Sequence, residues 1–138
     1  MSYFVRDTVA VAAPAASAST IVTDYTKVFN GEICGIGWYA TTPAFESTYT
    51  LTITAEDTSQ AILNTVQVTT SLTWYYPRGQ VHNTTGGGTS FGTTGLGLLR
   101  DKFLVANERI KVVVNGTSDI TTGQGGTLVV VVKGSMGR

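Results

Sequence analysis

Apolar and polar residues alternate from Tyr49 to Thr54, with Leu51 and Ile53 on one face and Thr50, Thr52 and Thr54 on the other, which predicts a half-buried antiparallel strand. Two later segments, Glu108–Asn115 and Gly126–Gly134, are short, rich in β-branched residues and closed by Gly or Asn, as strands of a packed sheet are. Val129–Val132 is apolar on both faces, so it needs cover from a second sheet, from the N-terminal segment or from a partner. Thr20–Phe29 and Ile33–Ala40 read as two strands joined by a hairpin turn at Asn30-Gly31. Thr65–Tyr76 reads as one long strand, with Val66, Val68, Thr70, Leu72 and Trp74 on one face, stopped by Pro77, Arg78 and Gly79. Ala55–Asn64 is expected as a loop with a short turn, Lys102–Val105 as a short strand and Ala106-Asn107 as a turn. The glycines and threonines of Val81–Gly97 read as a loop.

This pattern gives seven or eight strands without alternating helices. The fold class is therefore all-β, a jelly-roll or related antiparallel β-sandwich, with a closed barrel as its competitor. Residues 1–18 are dominated by Ala and Ser, are interrupted by Pro14, and show neither strand alternation nor a helical stripe. They are expected as an extended N-terminal arm, and residues 19–138 as a single β-sandwich domain. Fully extended, such an arm reaches about 60 Å, enough to cross a neighbouring subunit.

Composition narrows the function classes. The 138 residues carry nine basic and nine acidic side chains, only 13% charged residues in all, and no net charge. A weakly charged surface favours association, whereas nucleic-acid binding needs clustered Lys and Arg, and here the basic residues are scattered. No nucleic-acid partner is expected. No apolar run approaches the eighteen or so residues of a membrane-spanning helix, and Asp7 and Pro14 spoil a secretory reading of Val9–Ala18, so no membrane partner or signal peptide is expected.

Catalytic residue types are scarce. His82 is the only histidine and supports no metal site of the cupin or zinc kind. Cys34 is the only cysteine and, among Ile33, Gly35, Ile36 and Trp38, is expected as a small core hydrophobe. Asp24, Glu32, Glu46, Glu56, Asp57, Asp101, Glu108 and Asp119 stand at turns and strand ends, where solvated carboxylates are ordinary. The glycine cluster lacks the Lys and the helix of a phosphate loop, and no Gly-x-Ser-x-Gly elbow is present. The expectation is a non-enzyme without cofactor or metal.

The positive signals are aromatic. On a strand, Trp74 and Tyr76 face one way and Tyr75 the other, so one face is core and the other is available to a sugar ring or a protein partner. Trp38 and Tyr39 form a second pair, with Phe45 nearby in the reading. Tyr3, Phe4 and Val5 complete the candidate interface at the start of the arm.

Leu99–Val114, followed by a glycine-rich loop and then Gly126–Gly134 close to the terminus, resembles the small virion proteins of tailed double-stranded DNA bacteriophages, short-tailed ones among them. It most resembles their jelly-roll capsid decoration, or cement, proteins. The resemblance is one of pattern, without a diagnostic motif. It implies a structural protein on the outer surface of the virion capsid, assembled in the host cytoplasm. Such a protein binds the major capsid protein and itself, as a homodimer or homotrimer, and staples neighbouring capsomers of the expanded head. A carbohydrate-binding module or a receptor-binding tail or fibre domain is the alternative, with Trp38, Tyr39, Trp74, Tyr75 and Tyr76 as stacking platforms.

Overall fold

A computed structural model of the chain describes residues 2–13, 20–80, 84–86, 90–91, 97–98 and 100–135. Pro14, His82 and most of the glycine-rich stretch lie outside the described residues. What is described is strand and turn. The strands are β1 (Ser2–Ala12), β2 (Ile21–Ala40), β3 (Thr50–Ala55), β4 (Ala61–Gln67), β5 (Thr73–Tyr75), β6 (Arg78–Gln80), β7 (Ser90–Phe91), β8 (Gly97–Leu98), β9 (Arg100–Lys102), β10 (Leu104–Asn115) and β11 (Gly125–Ser135). A seven-stranded antiparallel sheet has the order β1-β11-β2-β10-β3-β4, with β5 also paired to β2; β6 pairs with β9, and β7 with β8.

The 20-residue β2 organises this sheet. Its first half pairs with β10, Ile21 against Asn115 and Glu32 against Leu104. Its second half pairs with β11, Glu32 against Lys133 and Ala40 against Gly126. The strand bends where the partners change. Gly31 has φ +139°, and a Cβ there would lie 2.2 Å from the carbonyl oxygen of Lys133, so only glycine fits. Bulges on either side sharpen the bend. Thr26 and Lys27 together oppose Ile110, whose N–H donates to Thr26 Oγ1 at 3.0 Å, and Cys34 is the extra residue opposite Val131 and Val132.

The bend folds the sheet over itself as a β-sandwich, in agreement with the sequence-based fold class. We name the half built of β1, β11, the second half of β2 and β5 the first sheet, and the half built of the first half of β2, β10, β3 and β4 the second. Between them lies one core. Ile33, Ile36, Trp38, Leu128, Val130, Val132 and Val11 come from the first sheet, and Val22, Phe29, Leu51, Ile53, Ile110, Val112 and Val114 from the second. Phe45, Tyr49 and Ile120 plug it from loops. The run at Val129–Val132 is thus covered on its inner side by the opposite sheet, as its composition requires.

Several sequence expectations are corrected. Asn30-Gly31 makes no hairpin, because Asn30 is used across the sheet: its Oδ1 accepts from Asn107 N–H at 2.7 Å. Ala106-Asn107 is no turn either. β10 runs through it, with Asn107 as the extra residue of a bulge at φ 55°. The long strand expected over Thr65–Tyr76 is broken, and its halves belong to different sheets. Thr69 Oγ1 and Thr73 Oγ1 both donate to the carbonyl of Ser71, at 3.1 and 3.2 Å, a local turn that competes with the ladder. The loop expected over Ala55–Asn64 ends early, since β4 starts at Ala61.

The expected arm is also different. Ser2–Ala12 is an edge strand, in register along β11 from Ser2 against Ser135 to Ala12 against Gly125. Its odd-numbered residues face the core side, and among them Asp7 is an inward-pointing charge. One Asp7 oxygen accepts from Thr8 N–H at 3.0 Å and the other from Lys27 N–H, on β2 of the second sheet, at 2.8 Å. A single carboxylate thus occupies N–H groups on two strand edges. The far edge, β4, is interrupted by a bulge at Thr65, held at φ 51°, a strained conformation for a β-branched residue. Both devices oppose strand addition.

Asp7→Ala is expected to lower unfolding stability by about 1 kcal/mol, since it removes two partly solvated charge-assisted hydrogen bonds. It is also expected to raise aggregation on warming. Urea denaturation and light scattering check both.

Candidate functional site

The outer face of the first sheet is ordered by register. Val129 of β11 lies between Thr8 of β1 and Gly37 of β2, and Gly37 is followed by Trp74 of β5. In the next row Val131 lies between Arg6 and Gly35. The two glycines explain the aromatic residues. A Cβ on Gly37 would stand 3.2 Å from the Trp74 ring, and one on Gly35 would stand 3.5 Å from the Tyr76 ring, so both rings lie down on bare strand backbone. They remain open to solvent on their other side, Trp74 being 41% and Tyr76 64% exposed.

Beside these rings runs a shallow groove of about 190 Å³, lined by Cys34, Gly35, Trp74, Tyr76 and Val131. Its walls are almost wholly apolar. Cys34, expected in the core, stands on its wall instead, because the bulge takes it out of the inward row. Tyr39, which opposes Thr127, extends the apolar face beyond Trp74 and is 39% exposed.

The other candidate residues divide. Phe4 is on this same outer face and is 69% exposed. Val5 is on the core side of β1 and packs against the core. Tyr3 lies against Gly134, where a Cβ would be 2.8 Å from its Cζ. Tyr75 opposes Ile36 and so faces the core side of β5. Trp38 is not a surface residue at all: it is fully buried, its ring centroid 6.2 Å from that of Phe45, with Gly126 leaving the space its indole fills. A Cβ on Gly126 would come within 2.2 Å of that ring. The expected patch of Trp38, Tyr39 and Phe45 is therefore split between core and surface; Trp74 and Tyr76 are brought together at the groove, and Tyr39 shares their face.

The outer face of the second sheet has a different chemistry. Its rows read Thr23, Val113, Thr52 and Tyr25, Lys111, Thr54. Arg109 stacks over Tyr25, 4.3 Å from the ring centroid, and pairs with both oxygens of Glu56. That hydrogen bonding holds the Glu56 carboxyl below its ordinary value. Glu108, expected as solvated, is buried, and its carboxylate accepts from the N–H groups of Asp57 and Thr58 at 3.0 and 3.1 Å. It secures the β3–β4 turn. Among the described residues no three His, Cys, Asp or Glu side chains gather as metal ligands would.

Comparison with known proteins gives no match to a family, a curated protein or a solved structure. The two tryptophans provide a direct check of this face. Acrylamide is expected to quench native fluorescence in two classes, and Trp74→Phe to abolish the accessible one, leaving Trp38 emission several-fold less quenchable. A single accessible class in the variant would contradict the arrangement.

Proposed function

We propose that the chain is a non-enzymatic structural protein that joins its assembly through the outer face of the first sheet. We further propose that this assembly is a phage capsid, where the chain acts as a cement protein on the shell of major capsid protein. The observation carrying the reading is the contrast between the two outer faces. One is threonine-rich and carries Lys111 and Arg109, with Ile21 and Val28 exposed singly on it; the other presents Trp74, Tyr76 and Val131 around an open apolar groove, with Tyr39 exposed on the same face. Exposed aromatics clustered on one face are characteristic of protein interfaces. The guarded edges at β1 and β4 support the same reading, since they disfavour open-ended strand addition there.

Sugar stacking is the second reading, and Trp74 with Tyr76 favours it. Against it stands the groove lining, where Cys34, Gly35 and Val131 provide nothing to hydrogen-bond a ring of hydroxyls. Protein side chains suit these walls better.

Quantitative mass spectrometry of purified particles from the protein's source separates the readings. A copy number near one per major capsid protein is expected. A few copies per particle would favour a tail or receptor-binding part, and absence would refute the virion reading.

A further inference from the structure

We propose that the groove of the first sheet receives one large apolar side chain from an acidic stretch of a partner protein, with Arg6, Lys133, Lys102 and Arg78 meeting the carboxylates that flank it. The inference rests on the reading of this face as the surface joined to the assembly and names the chemistry of what it joins. Two observations carry it: a groove sized for one side chain, and a basic rim around that groove in a chain without net charge.

Trp74 and Tyr76 lie over Gly37 and Gly35, and Val131 and Cys34 complete a groove of about 190 Å³. A closed cavity of about 150 Å³ holds a benzene ring, so the space suits one phenyl, isobutyl or thioether group. The walls are almost wholly apolar. A polar side chain seated there would give up its water with little in exchange, which selects an apolar occupant.

Strand register places the rim. Arg6 of β1 is directly opposite Val131, in the row of the groove itself; it is exposed and, among the described residues, makes no ion pair. One row along, Lys133 is directly opposite Glu32, and Lys102 reaches the same carboxylate at 3.9 Å. Arg78 opposes Lys102 in the β6–β9 ladder, two residues after Tyr76. Four cations thus surround the groove against one carboxylate, which two of them share. The neighbouring acids are turned away or occupied. Asp101 alternates to the other side of its ribbon, and Asp7 points inward onto the N–H groups of Thr8 and Lys27. Asp24 and Glu108 belong to strands of the second sheet, and Glu56 and Asp57 follow β3. The surplus of positive charge on this face therefore calls for carboxylates on the partner, where it steers encounter and selects the partner more than it adds affinity.

Exposed rings beside cations also suit single-stranded nucleic acid, whose bases stack while its phosphates follow a continuous basic track. This rim is not continuous. Glu32 interrupts it between Lys102 and Lys133, and Arg6 stands across β11 from the others. Separate cations around one apolar socket match an apolar knob set among carboxylates on a protein surface.

Titrating the nitrogen-15-labelled full chain with blocked pentapeptides, followed by NMR, tests this without any particle, so it can fail while the virion reading stands, and the reverse. The peptide Glu-Glu-Phe-Glu-Glu is expected to shift the Trp74 indole N–H and the Gly35 and Val131 amides, with a dissociation constant of about 1 mM at low salt, and to leave the buried Trp38 indole in place. Glu-Glu-Ser-Glu-Glu and Lys-Lys-Phe-Lys-Lys are each expected to bind about tenfold more weakly or less, the first for want of the apolar group and the second through like charge. Arg6→Glu should weaken the acidic peptide about fivefold, and Thr52→Glu, on the second sheet, should change nothing; the amide spectrum reports the fold of each variant. Equal binding of the lysine or the serine peptide, or no shift with any peptide at about 10 mM, would overturn the proposal. So would octathymidylate moving the same resonances at lower concentration than the acidic peptide, which would assign the face to nucleic acid.

Discussion

The fold depends on one close approach, that of the Gly31 backbone to the carbonyl of Lys133, 2.2 Å from where a Cβ would stand. Without a side chain there, β2 passes from its ladder with β10 to its ladder with β11 and takes the sheet with it. Every later feature follows from that passage. The inner residues of both halves meet in one core, and Asp7 on β1 comes within hydrogen-bonding distance of the Lys27 amide on the opposite sheet. The bend is also why Cys34 leaves the inward row, since its bulge is part of the same change of direction.

The same strand also fixes the character of the surface. Past the bend, β2 alternates core residues, Ile36 and Trp38, with the outward glycines 35 and 37. Large residues inward and none outward leave a bare strip on which Trp74 and Tyr76 lie flat. Their position conserves little side-chain freedom, which is what makes an aromatic face effective as a contact surface. Asp7 occupies one edge and the strained Thr65 bulge interrupts another, while the broad face of the first sheet lies open with its aromatic rings exposed. The cement reading draws on this combination of an apolar face, guarded edges and low charge.

How much of this was legible in the sequence varies with the kind of signal. β3 and β11 were readable, because Leu51 and Ile53 alternate with threonines and the valine run has no competing pattern. β1 was not, because Asp7 stands at an inward position and Phe4 at an outward one, which erases the alternation in Ser2–Ala12. Asn30-Gly31 has the composition of a turn, and only the distant strand β10, through Asn107, reveals that the chain runs on. Opposite orientations for Trp74 and Tyr75 could be read from strand geometry, but which of them meets solvent depends on the ladder with Gly37. Trp38 was misplaced for a related reason: the space it fills is made by Gly126, remote in sequence.

The central claim is that the outer face of the first sheet is the surface buried in the assembled state. Hydroxyl-radical footprinting of the chain, free at high dilution and then in the assembly it joins, tests it most directly. Protection of Trp74, Tyr76 and Phe4 is expected on assembly, with Tyr25 on the second sheet labelled equally in both states. Protection of Tyr25 with unchanged labelling of Trp74 and Tyr76 would contradict the account.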